Sequence, residues 1–576
     1  MAAPDARTLA TLLAGLDDAS LTRLLEGRRV AATAGWTDFF DAADALLEAP
    51  SVLRGVAALA RREAIALQDA VSSGIPVPAG PVRDALTRAA LVSADGDPYA
   101  AVIAAWVSVP AAPADPVATS ASAAAAAPED DAHAAERAFA ASASLTDVLQ
   151  STLSTPLSRI GSGALGAVDR RRLVEEGAVD TADAVDELVA IAATAELVGE
   201  VDRTWLVTAA GDEWLGARTV SRWHDVARRL RDALPPALRT ADGGWIAVAD
   251  WSGAHPFDPS WPARAAQLRS HLQRWAMIGP DGTPPSWAQG LADGGDADEP
   301  ALQALLPAEV DRVFLQNDLT AIAPGPLDPQ LDRRLRSMAL RESRAQASTY
   351  RFTAETLTAA LTSGETADSL RAFLSELSLT GVPQPLEYEI ERSALRHGAI
   401  AVGPDWSGHT RITAADPALL KAIAVDQALR PLGLVAEGDA LLARSGPDTA
   451  FWMLADARYP VTAVDADGRP RSLDRHRLAP TPAAPADGVD VYGPLRARLR
   501  AAHESDADSA WLGRELEQAV RAHAVLVIVV RLPDGSEREI TLEATGLGGG
   551  RLRGRDRGAD VERTLPVSSI ASVRPA

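Results

Sequence analysis

Residues 350–402 read YRFTAETLTAALTSGETADSLRAFLSELSLTGVPQPLEYEIERSALRHGAIAV, and this stretch has the most specific pattern in the chain. Thr353 and Thr366 stand where two helices would begin, because a threonine hydroxyl can accept a hydrogen bond from a free N–H of the first helical turn. Residues 380–383 would end the second helix, and a third would follow over 384–397. Helix, tight turn and helix predict a helix-turn-helix, an arrangement that many helical hairpins share without binding anything.

The segment just upstream, 330–352, is rich in arginine. Six arginines stand against the two acids Asp332 and Glu342, a local balance of +4. The candidate nucleic-acid-binding residues are Arg333, Arg334, Arg336, Arg341, Arg344 and Arg351. On a helix, Arg333, Arg336 and Arg344 would lie on one side and could contact phosphates. The alternative, left open here, is internal pairing with acids of the following helices. These acids include Glu355, Glu365, Glu376, Glu387 and Glu389.

Residues 307–403 resemble the N-terminal, damage-recognition-like domain of XPB-type DNA helicases. The resemblance rests on the helix start RFTAETLTAA, the turn LSLTGVP and the closing segment HGAIAV. With FLQNDLTAIAPGPL upstream, the chain is similar to actinobacterial helicase-associated proteins, which carry this domain without the motor domains. The resemblance implies a DNA-associated role and carries over no catalytic residue. The module at 145–240 fits the same family more loosely.

The composition argues independently against an ATP-driven motor. Lys421 is the only lysine among 576 residues, and its surroundings, ADPALLKAIAVDQ, contain no glycine. A Walker A loop needs a glycine-rich backbone followed by lysine to hold phosphates. Cysteine is absent, which removes disulfides and cysteine-ligated metal sites, and neither HExxH nor GxSxG occurs. We therefore expect no enzymatic activity, no cofactor and no metal.

The net charge of −22 argues against DNA binding over the whole surface but leaves room for local basic faces. The N-terminus carries an acid at Asp5 and lacks the apolar core of a secretory signal. The best membrane candidate, residues 99–109, is much shorter than the roughly 20 residues that a spanning helix needs. We expect a soluble cytoplasmic protein without membrane partners, which could associate with the nucleoid.

Two winged-helix-like modules are predicted in the first half of the chain. Leucines at helical spacing indicate a helical domain at 1–108, and an Ala/Pro-rich linker follows at 109–143. At 144–240, two helices precede a hairpin, which is the winged-helix layout. The helix after Thr181 is acidic and has no basic residue, so protein contact or a scaffold role is favoured over direct DNA reading. The GxGxxG match at 161–166 lacks a preceding buried strand, and we reject it as a dinucleotide site.

Tryptophan is concentrated in the middle of the chain, including the helical segment and loop at 241–306. The residues are Trp214, Trp223, Trp245, Trp251, Trp261, Trp275 and Trp287. Exposed tryptophans could stack on bases. Because they are spread over predicted helices, we favour the interpretation that they anchor the core.

The C-terminal part follows a strand segment and linker at 447–490. Residues 491–576 predict a helix, a β-branched strand at 525–531 and a hairpin, which we interpret as a small Sm-like antiparallel β-barrel. This segment resembles WYL domains, although Gly550-Arg551-Leu552 stands where that family has Trp-Tyr-Leu. Four further candidate residues, Arg551, Arg553, Arg555 and Arg557, would project from one strand face. They could form an anion or single-stranded nucleic-acid site, or a solvated strand edge whose charges discourage aggregation.

Together these patterns predict a mainly α multidomain protein of the α+β class. It would comprise helical and winged-helix modules, an XPB N-terminal-like α/β domain at 307–446 and the C-terminal barrel. The function predicted from the sequence is a non-catalytic DNA-associated adaptor or regulator. The alternative is a protein-interaction scaffold that recruits a separate helicase or nuclease.

Overall fold

The structure is a computed structural model that describes residues 3–109, 128–161, 164–344, 347–405, 409–473, 477–480, 490–532 and 536–575. The chain divides into two units. The first comprises Met1–Ala118, Asp250–Ala265 and Ala484–Ala576, and the second comprises Thr119–Ala249 and Ala266–Ala483. Helices and sheets occur together, as the predicted α+β class requires. None of the described helices has the length and apolar character needed to cross a membrane.

The N-terminal part of the first unit is helical, as predicted. Its helices are α1 Ala3–Gly15, α2 Asp18–Gly27, α3 Phe39–Leu47, α4 Ala49–Ala57, α5 Arg61–Ser73, α6 Pro81–Arg88 and α7 Ala100–Ala105. Leucines at helical spacing are buried, among them Leu9 and Leu13 on α1 and Leu21 on α2. Between α6 and α7 the described residues form one isolated bridge, Val92–Pro98, and no paired strands. The winged-helix character of this part is therefore not confirmed.

The next segment contains more helices and a small sheet. The helices are α8 Pro128–Ser154, α9 Ala167–Glu175, α10 Ala182–Thr194, α11 Ala209–Trp214, α12 Thr219–Asp232, α13 Trp261–Arg274, α14 Gln289–Ala292 and α15 Glu299–Leu305. The strands β1 Leu157–Ser158, β2 Val198–Val201 and β3 Thr204–Val207 form an antiparallel sheet in the order β1-β3-β2. The Thr181 hydroxyl accepts a hydrogen bond from the Ala184 N–H, so α10 begins where the sequence predicts.

The predicted linker at 109–143 is wrong from Pro128 onward, because α8 begins there. Alanine has the highest helix propensity, and alanines of α8, such as Ala135 and Ala138, are buried. Asp131 is buried too and accepts a hydrogen bond from the Ser286 N–H at 2.8 Å. Residues 110–127, and two residues of the GxGxxG match at 161–166, lie outside the described residues.

The tryptophans are core anchors, as predicted, since all seven are buried. In the second unit, Trp223 and Trp275 exchange hydrogen bonds, each indole N–H donating to the other residue's carbonyl oxygen at 2.7 and 2.9 Å. Trp287 packs edge-on against Trp223 with ring centroids 4.8 Å apart. Buried in this way, these rings cannot stack on bases.

A four-stranded sheet and four helices follow. They are β4 Phe314–Leu315, β5 Thr320–Ala323, α16 Pro329–Arg336, β6 Leu340–Arg344, β7 Ser348–Arg351, α17 Ala354–Thr362, α18 Ala367–Leu377 and α19 Gln384–Arg396. The antiparallel order is β4-β5-β7-β6. The predicted arginine helix is thus wrong beyond Arg336. Tyr350 on β7 pairs with Ala321 on β5 and is buried, and this tertiary pairing makes a hairpin of the segment after α16.

Helices α17 and α18 have the predicted caps. The Thr353 hydroxyl accepts from the Thr356 N–H and the Thr366 hydroxyl from the Ser369 N–H, each in a capping box. Gly364, which follows α17, has a φ of 104°, a left-handed conformation that glycine adopts without a steric penalty. The predicted succession of three helices separated by tight turns is therefore confirmed.

The chain then forms a six-stranded sheet with its own core. The elements are β8 Ile400–Pro404, β9 Thr410–Ala414, α20 Pro417–Val425, β10 Val435–Glu437, β11 Ala440–Ala443, α21 Pro447–Asp456, β12 Val461–Val464 and β13 Pro470–Arg471. The strand order is β10-β11-β9-β8-β12-β13, and β12 runs parallel to β8. The sequence predicts that a domain ends at residue 446. Residues 447–473 nevertheless supply α21, β12 and β13, so they complete this sheet.

The C-terminal part consists of one long helix and a five-stranded sheet. They are α22 Gly493–Ala522, β14 Val525–Arg531, β15 Glu537–Gly548, β16 Arg551–Asp556, β17 Val561–Pro566 and β18 Ile570–Pro575. The antiparallel order is β17-β16-β15-β14-β18, and among the described strands β17 and β18 stay unpaired edges. The sheet is open, so the predicted Sm-like barrel is not confirmed.

Helix α22 joins the N-terminal helices within the first unit. Its residues Leu495 and Leu499 are buried in the same apolar cluster as Leu9 and Leu13 of α1. The Tyr492 hydroxyl, just before α22, donates to the carbonyl oxygen of Val30 at 2.8 Å. The two ends of the chain therefore build one core, which the sequence does not predict.

Candidate nucleic-acid interface

Helix α16 presents three of the candidate arginines. Asp328 caps the helix, because its carboxylate accepts from the Gln330 N–H at 3.0 Å, and Pro329 begins it. Leu335 is buried below the helix. Arg334 and Arg336, which flank Leu335 in the sequence, each contact a carboxylate of the same unit.

Asp147 on α8 holds two of the candidate residues. The Nη1 of Arg336 lies 2.9 Å from Oδ1 of Asp147, and Arg341 on β6 contacts the same carboxylate. The Asp147 side chain is only 4% exposed. Burial disfavours the charged form of Arg336, but attraction to Asp147 and Asp332 outweighs this and raises its pKa. These two guanidiniums are therefore part of a mostly buried charge cluster.

Asp332 extends the cluster to the sheet. Its Oδ1 accepts a hydrogen bond from the Tyr350 hydroxyl at 2.6 Å, and its Oδ2 lies 3.6 Å from Nη1 of Arg336. Burial, followed by the negative charge of Asp332, raises the pKa of Tyr350. Asp332 thus connects α16 to β7.

Arg222 on α12 adds another buried guanidinium beside this cluster. It donates to the Thr146 hydroxyl at 3.1 Å and to the carbonyl oxygen of Trp214 at 3.1 Å. Burial lowers the pKa of Arg222 to about 10, although the charge of Asp332 opposes this effect. A guanidinium held by carbonyl and hydroxyl oxygens in the interior is a structural group, out of reach of DNA phosphates.

The other arginines of this set lie nearer the surface. Nη2 of Arg333 is 2.5 Å from Oδ1 of Asp212. Arg334 forms a bidentate pair with Glu365 at 2.9 and 3.1 Å and covers the ring of Phe373. Arg351 pairs with Glu342. The side chain of Arg344 lies outside the described residues.

Five of the six arginines therefore have carboxylate partners within the second unit. Of the acids on the following helices that the sequence offers as partners, only Glu365 is among them. Asp147 and Asp212 are far away in the sequence, and no local pattern identifies them as partners. The arginine-rich segment mainly joins α16 and its hairpin to the helices around it.

The C-terminal candidates lie on β16 in the first unit. Arg551, Arg553 and Arg555 are exposed and alternate with buried residues, as the strand period requires. Arg557 lies beyond the strand, where its Nη2 is 2.6 Å from Oε2 of Glu543. Nε of Arg555 is 2.8 Å from Oδ1 of Asp560. Among the described residues, Arg551 and Arg553 have no ion-pair partner, which leaves them available to an external anion.

Two observations concern phosphate and metal binding. Lys421 is exposed in the middle of α20, which is a regular helix with no phosphate-binding loop. Across the part of the chain that the structure describes, no group of three or more histidine, aspartate or glutamate side chains is placed to hold a metal ion.

A family model described as a helicase conserved C-terminal domain matches residues 313–437. The matched segment runs from β4 to β10, so it covers the four-stranded sheet, helices α16–α19 and part of the six-stranded sheet. It lies within the predicted domain at 307–446 and supports a helicase-associated nature for this segment. A comparison with curated proteins finds no match.

Proposed function

We propose that this protein is a non-catalytic, DNA-associated adaptor or regulator that carries a helicase-type domain without an ATPase motor. The match of residues 313–437 to a helicase conserved C-terminal domain is the observation that carries the proposal. Helicase domains act on nucleic acid, so a protein that has kept one is expected near DNA. The exposed helical position of Lys421, the only lysine in the chain, supports a role without ATP hydrolysis.

The best-supported DNA contact is on β16. Arg551 and Arg553 are exposed on one face without described carboxylate partners, so phosphate binding would not first require an internal ion pair to break. Arg336 and Arg341, in contrast, would have to leave the buried carboxylate of Asp147. We therefore assign phosphate contact to β16 and a structural role to those two residues. The WYL-like identity of this part remains a prediction.

The XPB-type and winged-helix assignments belong to the same proposal. Helix α8, strand β1, helices α9 and α10 and the β2–β3 hairpin follow one another in winged-helix order, and β1 pairs with β3. Helix α10 would occupy the recognition position, but it carries Asp183, Asp186 and Glu187. Asp186 and Glu187 pair with Arg170 and Arg274. Helix α10 itself has no basic residue to meet phosphates, so we propose that this module contacts protein.

The test is binding of labelled duplex, forked and single-stranded DNA across a salt series. We expect affinity to fall as salt rises, because phosphate contacts release counterions. The double variant Arg551→Gln/Arg553→Gln should weaken binding to all sequences alike and reduce the salt slope by about two. The control is Arg29→Gln/Arg62→Gln, which removes the same charge from exposed positions in the turn after α2 and on α5. Salt-independent or undetectable binding to every DNA would refute the proposal, as would ATP hydrolysis by the purified chain.

The alternative is a scaffold that recruits a separate helicase or nuclease, and one feature of α19 favours it. Tyr388 is 65% exposed and Leu395 is 80% exposed, and they lie on one helical face within the matched segment. Cross-linking with the full chain as bait would capture such a partner. The variant Tyr388→Ser/Leu395→Ser should lose it, whereas Arg551→Gln/Arg553→Gln should retain it. Tight DNA binding with no captured protein would contradict the scaffold function.

A further inference from the structure

A cavity of about 200 Å³ lies among helices α2, α4 and α6 of the first unit. Three arginines and a hydroxyl provide its polar lining: Arg23, Arg28, Arg88 and Ser20. Leucine, alanine and glycine residues supply the rest. Of the described residues that line it, none is acidic. The cavity is therefore positively charged on its polar side and apolar elsewhere.

Arg28 forms the inner wall and is 1% exposed. Its Nη2 donates to the carbonyl oxygens of Ala89 and Ala90 at 2.7 and 3.1 Å, and its Nη1 donates to that of Ser51. Within the described residues it has no carboxylate partner. These carbonyls hold the guanidinium in place, but they leave a buried positive charge without a matching anion.

Gly55 lets the guanidinium occupy this position. A Cβ at residue 55 would lie 2.3 Å from Cζ of Arg28, so any larger residue would displace it. Arg54 is also close, and its Nε donates to the carbonyl oxygen of Arg28 at 2.8 Å. Burial, followed by the positive charge of Arg54, lowers the pKa of Arg28 to about 10. Arg54 thus adds a second positive charge beside Arg28.

Arg23 and Arg88 lie at the mouth of the cavity and are exposed. Arg23 is oriented by two contacts on its own helix, from Nε to the Ala19 carbonyl oxygen at 3.3 Å and from Nη2 to the Ser20 hydroxyl at 3.0 Å. The nearby acid Asp17 accepts hydrogen bonds from the Ser20 N–H and hydroxyl. It caps α2 and does not line the cavity.

We propose that this cavity binds a phosphomonoester, with the phosphate against the exposed Arg23 and Arg88, the buried charge of Arg28 behind them, and the carrier group on the apolar wall. A dianionic phosphate has three terminal oxygens to accept hydrogen bonds from guanidiniums, which suit planar, bidentate recognition of this group. The phosphomonoester is either a free mononucleotide or the 5′-phosphate of a DNA end. The inference does not depend on the proposed adaptor function, because a free mononucleotide would occupy the site without DNA.

The experiment is calorimetric titration of the full chain with deoxythymidine monophosphate, with deoxythymidine as the uncharged comparison at matched ionic strength. We expect the monophosphate to bind and the nucleoside not to bind. Arg23→Gln and Arg88→Gln should each weaken binding about tenfold, the effect of losing one charge-assisted hydrogen bond. Both residues are exposed, so thermal melting should show the variants folded. Arg29→Gln, an exposed arginine outside the cavity, should bind as the unmodified chain does.

A competition arm distinguishes the two sources of phosphate. If a 5′-phosphorylated single strand displaces the monophosphate and its 5′-hydroxyl counterpart does not, the site binds DNA ends. If neither strand competes, the site binds a free mononucleotide. Equal binding of deoxythymidine, or an equal loss in Arg29→Gln, would overturn the proposal. If the chain binds the monophosphate but fails to bind DNA, the phosphomonoester site is supported. Only the adaptor function is then refuted.

Discussion

Arg336 and Asp147 are 189 positions apart in the chain, yet Nη1 of the arginine lies 2.9 Å from Oδ1 of the aspartate. Arg341 contacts the same carboxylate from the neighbouring hairpin. One almost fully buried aspartate on α8 thus pairs with two arginines of the helicase-like segment. Arg336 and Arg341, which the sequence offers as candidates for DNA binding, therefore lie at the contact between that segment and α8 in the folded chain.

Asp147→Ala should destabilise the second unit strongly. The substitution leaves Arg336 and Arg341 mostly buried without their shared carboxylate, and breaking a buried ion pair costs about 3–5 kcal/mol. Urea unfolding monitored by tryptophan fluorescence would measure the change. Asp368→Ala is the matched control, since its side chain is 97% exposed and its pair with Arg371 should contribute less than about 1 kcal/mol. Equal effects of the two substitutions would show that the contact with α8 contributes little.

Tyr350→Phe should lower stability by about 1–2 kcal/mol at neutral pH, because Asp332 loses a buried hydrogen-bond donor. The pKa of Tyr350 is raised in the folded protein, so folding favours the protonated phenol. Its contribution is complete below the tyrosine pKa of the unfolded chain, about 10, and is lost as the pH rises above it. As the pH rises from 8, the unfolding free energy should therefore fall more steeply for the unmodified protein than for Tyr350→Phe. A parallel decline in both would contradict this assignment, and the exposed Tyr388→Phe provides the comparison.

Thr366→Ala should destabilise α18 by about 1 kcal/mol, because the Ser369 N–H loses its acceptor. Thr353→Ala should do the same at α17 through the Thr356 N–H. Hydrogen exchange of the first-turn amides is the direct measurement, and protection should fall at those amides first. Thr358→Ala, which lies inside α17, should leave cap protection unchanged. Unchanged exchange in both cap variants would mean that tertiary packing alone holds these helix starts.

Leu499→Ala should loosen the N-terminal helices although it lies near the other end of the chain. Truncating a fully buried leucine costs about 2–5 kcal/mol, and Leu499 packs in the same cluster as Leu9 of α1. Exchange protection in α1 and α3 should drop together with that of the first half of α22. Arg521→Ala, at an exposed position on the same helix, should leave both protected. If α1 kept its protection in Leu499→Ala, the two ends of the chain would fold independently.

Features that depend on near neighbours could be predicted from the sequence. The capping threonines Thr353 and Thr366 accept hydrogen bonds from N–H groups three residues away, so their role can be predicted from neighbouring residues. The β-branched run at 525–531 forms β14 over the predicted residues. The tryptophans are buried because no other side chain offers as much apolar area, so their core role follows from residue type.

The candidate site could be predicted only in part. Exposure of Arg551 and Arg553 follows from strand alternation, a local property. The carboxylate partners of Arg333 and Arg336 do not follow from a local property. Charge attraction acts through space, and any of 78 acids could have supplied the carboxylate. The helix expected across 330–352 fails for a similar reason, since pairing of β7 with β5 outweighs local helix propensity.

The sequence by itself determined the helix starts, the buried aromatic residues, the missing phosphate-binding loop and the likeness to helicase-associated proteins. Each depends on residue identity or on spacings of a few positions. Only the tertiary structure decided that Asp147 pairs with both Arg336 and Arg341, that α22 completes the N-terminal core, and that Arg28 is buried against Gly55. These relationships join positions far apart in the chain. Their energies depend on distance and burial in the folded protein, which no local pattern of residues encodes.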